Sequence, residues 1–136
     1  MVEEKELQEK VILHRLIGAK IESLLRQRES LLQILDEVEE TIKGIEEIEK
    51  ENEDFLFSIG SQTYIPCKIA DKKLIVELGA NIAIEKNLEE GKQILDKRRG
   101  EILKSIESIE VAINQLSSSL KELEEEIKKM IEKRKS

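Results

Sequence analysis

The sequence has no tryptophan, and its 136 residues include one tyrosine, two phenylalanines, one proline, one cysteine and one histidine. Aromatic rings supply much of the buried area of compact cores, so an aromatic content of 2% argues against a compact globule. A single cysteine, Cys67, cannot close an internal disulfide, and nothing points to an oxidising compartment. One histidine and one cysteine make no zinc or iron ligand set. No apolar run approaches the roughly 20 residues of a membrane span. The opening Met-Val-Glu-Glu-Lys-Glu lacks the apolar core of a signal peptide. Positive charge is in deficit: 23 Lys and Arg stand against 30 Asp and Glu, a net charge of -7. Nucleic-acid phosphates need clustered Lys and Arg, so such a partner is disfavoured. The expectation is a cytoplasmic protein with no metal, no cofactor, no nucleic-acid partner and no membrane attachment.

Enzyme signatures are missing as well. There is no phosphate loop of the Gly-Lys-Ser type, no Rossmann glycine triplet and no nucleophile–base pair. Carboxylates are plentiful, but they fall beside Lys and Arg on outer helix faces, as a solvated surface does. No catalytic activity is expected.

What is abundant is Glu, Lys, Ile and Leu, the composition of long amphipathic helices rather than of a disordered chain. From about residue 3 to 51 apolar positions recur at heptad spacing: Ile17, Ile21, Leu24, Arg28, Leu31, Leu35, Val38, Ile42, Ile45. His14 extends that seam N-terminally, and Leu25 and Leu32 widen it. From about 88 to 134 the pattern repeats as Leu95, Arg99, Ile102, Ile106, Ile109, Ile113, Leu116, Leu120, Leu123, Ile127, Met130. Gly18, Gly44, Gly91 and Gly100 weaken these helices by up to about 1 kcal/mol each.

The middle, about 53 to 87, holds Pro66 and all three aromatics, Phe55, Phe57 and Tyr64, and its period is two. Strands are expected at Phe55–Ile59, Tyr64–Ile69, Leu74–Leu78 and Ile82–Glu85, with turns at Gly60-Ser61-Gln62, Asp71-Lys72-Lys73 and Gly79-Ala80-Asn81. Asn87 is a candidate N-cap, with Glu90 at capping-box spacing. The fold class is therefore α+β, mostly α: a long antiparallel two-helix coiled coil with two β-hairpins between the helices. It reads as one domain over 1–136, with helices at 1–52 and 88–136 around a hairpin region at 53–87. The acids Glu3, Glu4, Glu6 and Glu9 would meet the bases Lys128, Lys129, Lys133, Arg134 and Lys135. Each set also suits its own helix dipole.

Four short strands cannot bury a core alone, and their edges invite pairing. Phe55, Phe57, Tyr64, Ile65, Ile69, Ile75, Val76, Ile82 and Ile84 are the candidates for burial against other subunits, with the hairpins joined in a β-barrel platform. Near the start, Val11, Ile12, Leu13, Leu16 and Ile17 wrap more of the helix than one seam requires, and Ile127, Met130 and Ile131 would face them. Such residues either cover one another or remain partly exposed, able to hold apolar segments of other chains.

The stretch Tyr64-Ile65-Pro66-Cys67-Lys68-Ile69, then Val76-Glu77-Leu78-Gly79-Ala80-Asn81-Ile82-Ala83-Ile84-Glu85-Lys86, resembles the central signature of prefoldin α subunits. The two hairpins match the α class of that family; its β class has one. The sequence departs at Asn81, where the family often has Gly, and at Gly91, where Ala would be expected. The resemblance implies an archaeal-type hexamer of two α and four β-type subunits. It also implies capture of unfolded client proteins at the coiled-coil tips, without ATP, and delivery to a group II chaperonin. On that reading Val11, Ile12, Leu13, Leu16, Ile127, Met130 and Ile131 form the client-binding tips. The alternatives are a filament-forming relative of the same family or a coiled-coil scaffold with one folded partner.

Five further positions remain. His14 reads as a tolerated polar residue at a seam edge, though it could titrate near neutral pH. Arg28 and Arg99 either fix register or snorkel to solvent. Cys67 reads as a small packed residue rather than a nucleophile. Pro66, with no N–H to give, marks a strand edge or bulge.

Overall fold

The computed structural model describes residues 2–50 and 54–135. The element order is α1 (Val2–Lys50), β1 (Asp54–Gly60), β2 (Thr63–Lys68), β3 (Lys73–Gly79), β4 (Ile82–Asn87) and α2 (Leu88–Lys135). The expected plan of helix, two hairpins and helix is the one observed. The boundary drawn at residues 52 and 53 lies outside the described residues. The chain divides into two compact units, one taking the described residues up to Ile34 and from Ile102 on, the other Leu35–Glu101.

In the first unit the heptad seam is what sits inside. Leu24, Ile106 and Leu123 are buried, and Ile17, Ile21, Leu31, Ile109, Ile113, Leu116 and Leu120 are half-buried. Three cross-helix pairs fix the helices as antiparallel: Glu4 with Arg134, Lys10 with Glu126, and His14 with Glu124. As the number rises on α1 it falls on α2.

The second unit continues the same logic. Val38, Ile42 and Ile45 are its buried side chains. Glu39 with Arg99 and Glu49 with Lys92 again run antiparallel. Arg99 is exposed and reaches Glu39 at 3.5 Å, so it snorkels from its seam position, while Arg28 in the first unit is half-buried.

The strands of the second unit form two separate two-stranded antiparallel sheets, β1-β2 and β3-β4. Each closes through a two-residue turn with both central residues at positive φ: Ser61 (45°) and Gln62 (61°), then Ala80 (51°) and Asn81 (61°). That pattern matches the right-handed twist of the flanking strands. Gly60 (φ 108°) and Gly79 (φ 99°) precede the turns, and the register shifts beside each, between Ser58 and Gly60 and between Glu77 and Gly79. Asn87 ends β4 and caps α2: its Oδ1 accepts the Glu90 N–H at 2.7 Å. No loop separates β4 from α2.

Two expectations need correcting. Ile69 lies beyond β2, which stops at Lys68, so it is a half-buried connection residue rather than a strand residue. Cys67 is exposed, not packed; its thiol reaches only the Ile65 carbonyl, at 3.6 Å. Of the two readings of Pro66, the strand edge is the one observed. That residue sits inside β2 opposite Leu56, which is tolerable because both strands of a two-stranded sheet are edges.

Candidate functional site: two interaction surfaces

The first surface lies in the first unit. Extending the α1 seam towards the N-terminus puts Lys10 and His14 at inward positions, and both are half-buried. The flanking and outward positions carry the apolar side chains. Val11, Ile12, Leu13 and Leu16 are 41%, 56%, 48% and 61% exposed. This inverts an ordinary amphipathic helix, in which the outward face is polar.

On α2, Ile127 and Met130 hold seam positions and are half-buried, while Ile131 is exposed. The structure brings Val11, Ile127 and Ile131 together as the apolar lining of a groove of about 490 Å³, bordered by His14, Glu124, Lys128, Glu132 and Lys135. Met130 lies in a different recess, with Leu7. Ile12, Leu13 and Leu16 line neither. Of the seven residues singled out here, three therefore share one groove and three stand in the open. His14 Nε2 lies 3.0 Å from Glu124 Oε1 across the helix pair.

The second surface is the hairpins. In β1-β2, Phe55 opposite Cys67 and Phe57 opposite Ile65 share one face; Leu56 opposite Pro66 and Ser58 opposite Tyr64 share the other. Both faces are mainly apolar: Phe57, Ile65, Leu56 and Tyr64 are exposed, while Phe55 is half-buried. A two-stranded sheet with two apolar faces is not a stable end state in water.

The second hairpin differs. Its Leu74, Val76, Ile84 and Lys86 share one half-buried face. Leu74 packs onto Gly91 of α2, where a Cβ would collide with its Cδ1. The opposite face carries Ile75, Glu77, Ala83 and Glu85, all exposed, with Ile75 at 74%. Ile82 stands exposed opposite Gly79. A groove of about 460 Å³ opens between this hairpin and the helices, with Val38, Ile45, Leu74, Val76, Ile94 and Leu95 among its lining. Leu56, Ile59 and Leu78 are exposed apolar residues that the sequence reading left out of the assembly surface. The consecutive Phe55-Leu56-Phe57 of β1 was the signal that apolar side chains point to both faces of that strand.

A family model for prefoldin subunits matches residues 17–133. The chain belongs to the prefoldin family. Its curated relatives include prefoldin subunit alpha of Methanopyrus kandleri, 35% identical over 78 residues, which are 57% of this chain and 49% of that one. The match thus spans about half the length of that relative. Prefoldin subunit alpha of Pyrococcus horikoshii is 28% identical over 123 residues, 88% of this chain and 83% of that one. Among solved structures, a filamentous prefoldin from Methanocaldococcus jannaschii superposes with a TM-score of 0.68 at 22% identity, covering 80% of this chain and 93% of that chain. It shares the prefoldin fold of two long helices around two hairpins. The family match begins at Ile17, so Val11, Ile12, Leu13 and Leu16 lie outside it, whereas Ile127, Met130, Ile131 and every hairpin candidate lie within it. Among the described residues no helix is long and apolar enough to cross a membrane, and no group of three or more His, Cys, Asp or Glu is placed to hold a metal ion.

Proposed function

We propose that this chain is an α-class prefoldin subunit that acts, without ATP or catalysis, as a holdase for unfolded proteins. The observation that carries the reading is the inverted stretch of α1, with Ile12 and Leu16 turned to solvent while Lys10 and His14 point inward. Open apolar groups at a helix end can hold many different unfolded segments weakly. Several such ends around one client supply avidity through effective concentration. Weak individual contacts then allow release to a group II chaperonin. The two hairpins serve assembly with β-type subunits in a hexamer of two α and four β, on a shared barrel platform. In that arrangement the whole chain works as a single prefoldin-like domain in the cytoplasm.

The test is coexpression with a single-hairpin prefoldin subunit, followed by native mass and aggregation-suppression assays. A discrete complex near six chains should protect an unfolding client. The variant Ile12→Ser/Leu16→Ser/Ile131→Ser should assemble equally but protect poorly. Full protection by that variant would remove the tip from the mechanism.

A filament is the second reading, favoured by four strand edges left free and by the filamentous prefoldin of the same fold. Heterologous contacts that do not close give open polymers. Long particles grown by the purified chain alone would select it.

A further inference from the structure

We propose that the α1 end of the first unit is fastened to α2 largely by an electrostatic clasp that interrupts the apolar seam, and that the clasp controls how readily the two helices part there. From Ile17 onward the inward positions are apolar, apart from Arg28, and they culminate in the buried Leu24, Ile106 and Leu123. Before Ile17 the inward positions are Leu7, Lys10 and His14, all half-buried, so two of the three are charged or polar. Both reach across to α2 rather than to solvent alone: Lys10 Nζ lies 2.8 Å from Glu126 Oε2, and His14 Nε2 lies 3.0 Å from Glu124 Oε1. Further out, Arg134 Nη2 meets Glu4 Oε1 at 3.1 Å.

Lys10 and His14 stand where a coiled coil ordinarily places its leucines, and their partners Glu126 and Glu124 flank the α2 seam of Leu123 and Ile127. The apolar side chains that could have closed the seam, Ile12 and Leu16, are on the outside instead. Two of the three pairs join a lysine or an arginine to a carboxylate; the third is an ion pair only when His14 is protonated. The surroundings are charged as well. Glu3, Glu6, Lys133 and Arg134 share a recess with Lys10, and Lys128, Glu132 and Lys135 share the groove with His14 and Glu124.

A seam of exposed ion pairs behaves unlike an apolar seam. Each pair is weak and salt weakens it further, because the screening length falls from about 10 Å at 0.1 M to about 3 Å at 1 M. Burial of apolar surface does not weaken in that way. Parting the helices would uncover Leu7, Ile17, Ile127 and Met130 beside the groove and enlarge its apolar area. The clasp therefore holds the end together at low cost and lets it open locally, while the buried leucines and isoleucines beyond Ile17 keep the unit paired.

This deepens the capture reading, but it is tested on helix parting with no client present, so the two fail separately. Amide exchange of the full chain in complex with a single-hairpin prefoldin subunit is followed by mass spectrometry in low and high sodium chloride. Peptides covering 5–16 and 124–134 should exchange faster in high salt, by roughly two- to fivefold for each pair weakened. Peptides around Leu24 and Ile106 should not respond. Lys10→Leu/His14→Leu should slow exchange at the end and reduce its salt response to what the Glu4–Arg134 pair supplies. Glu4→Gln/Glu126→Gln, which adds no apolar group and leaves only the His14–Glu124 pair, should raise the low-salt rate towards the high-salt rate of the unmodified chain. A salt-independent end in the unmodified chain, or an unchanged salt response in both variants, would overturn the clasp.

Discussion

Leu74 of the second hairpin rests directly on Gly91 of α2, and a methyl group at 91 would meet the Leu74 Cδ1 atom. Gly91 is buried, alone among the glycines of the described residues, and it stands where the resemblance to prefoldin α subunits led one to expect alanine. The atom in the way is the far end of a flexible side chain. Gly91→Ala should therefore force a Leu74 rotamer change costing about 0.5–1.5 kcal/mol. The helix gains about 0.8–1 kcal/mol from replacing glycine. The net effect should be small, and stabilising once Leu74→Ala removes the obstacle. A double-mutant cycle by thermal unfolding checks the sign of the coupling. Gly18→Ala, Gly44→Ala and Gly100→Ala meet nothing within 4 Å and should each raise stability by up to about 1 kcal/mol.

Asn87 joins the last strand to α2, and its Oδ1 satisfies the Glu90 N–H at 2.7 Å. Asn87→Ala should lower stability by about 0.5–2 kcal/mol. Asn87→Asp should retain the cap. The Glu90 amide should exchange faster in the alanine variant alone.

Ala80 is held at a φ of 51°, a conformation that carries a steric cost of roughly 1–2 kcal/mol for an L residue with a Cβ. Ala80→Asn/Asn81→Gly installs the dipeptide best suited to this turn. The second hairpin should gain about 1 kcal/mol, seen as slower exchange of its ladder amides. Asn81→Val should lose at least as much.

Phe57 and Ile75 are 62% and 74% exposed on their respective hairpins. Phe57→Glu or Ile75→Glu should leave helicity by circular dichroism unchanged, because neither side chain supports a helix. Each would bury an unpaired charge in any joined sheet. Native mass should fall to that of unassembled chains. Full-sized complexes from both variants would remove the hairpins from assembly.

Lys92 Nζ lies 3.4 Å from Glu49 Oε2. Desolvation pulls its pKa down, but Glu49, by charge and hydrogen bond, with Glu46 and Glu89, outweighs this and holds the ammonium above the ordinary 10.5. A pKa raised by folding gives stability that is complete below the unfolded value and lost as pH rises through the folded one. The difference in melting temperature between the unmodified chain and Lys92→Met should be constant at neutral pH. It should shrink above about pH 10.5. A difference that stays constant through that range would show that the pair contributes nothing.

The sequence by itself determined the helices, because a heptad repeat is local information. Each of Ile17, Leu24, Val38 and Ile45 has its inward direction set by residues three and four positions away. It determined the hairpins nearly as well, since Gly60, Gly79 and Asn81 mark turns whose backbone few residues accept. The prefoldin signature in β2 through β4 was legible for the same reason. What only the tertiary structure decided concerns pairs of residues far apart in the chain. No local pattern says that Leu74 needs a glycine at 91, that Lys10 and His14 find Glu126 and Glu124, or that Arg99 leaves the seam for Glu39. Nor does period two say which hairpin face is covered. The second hairpin has one face half-buried and the first has neither, because coverage depends on what stands across the gap, and that is fixed only when distant segments pack.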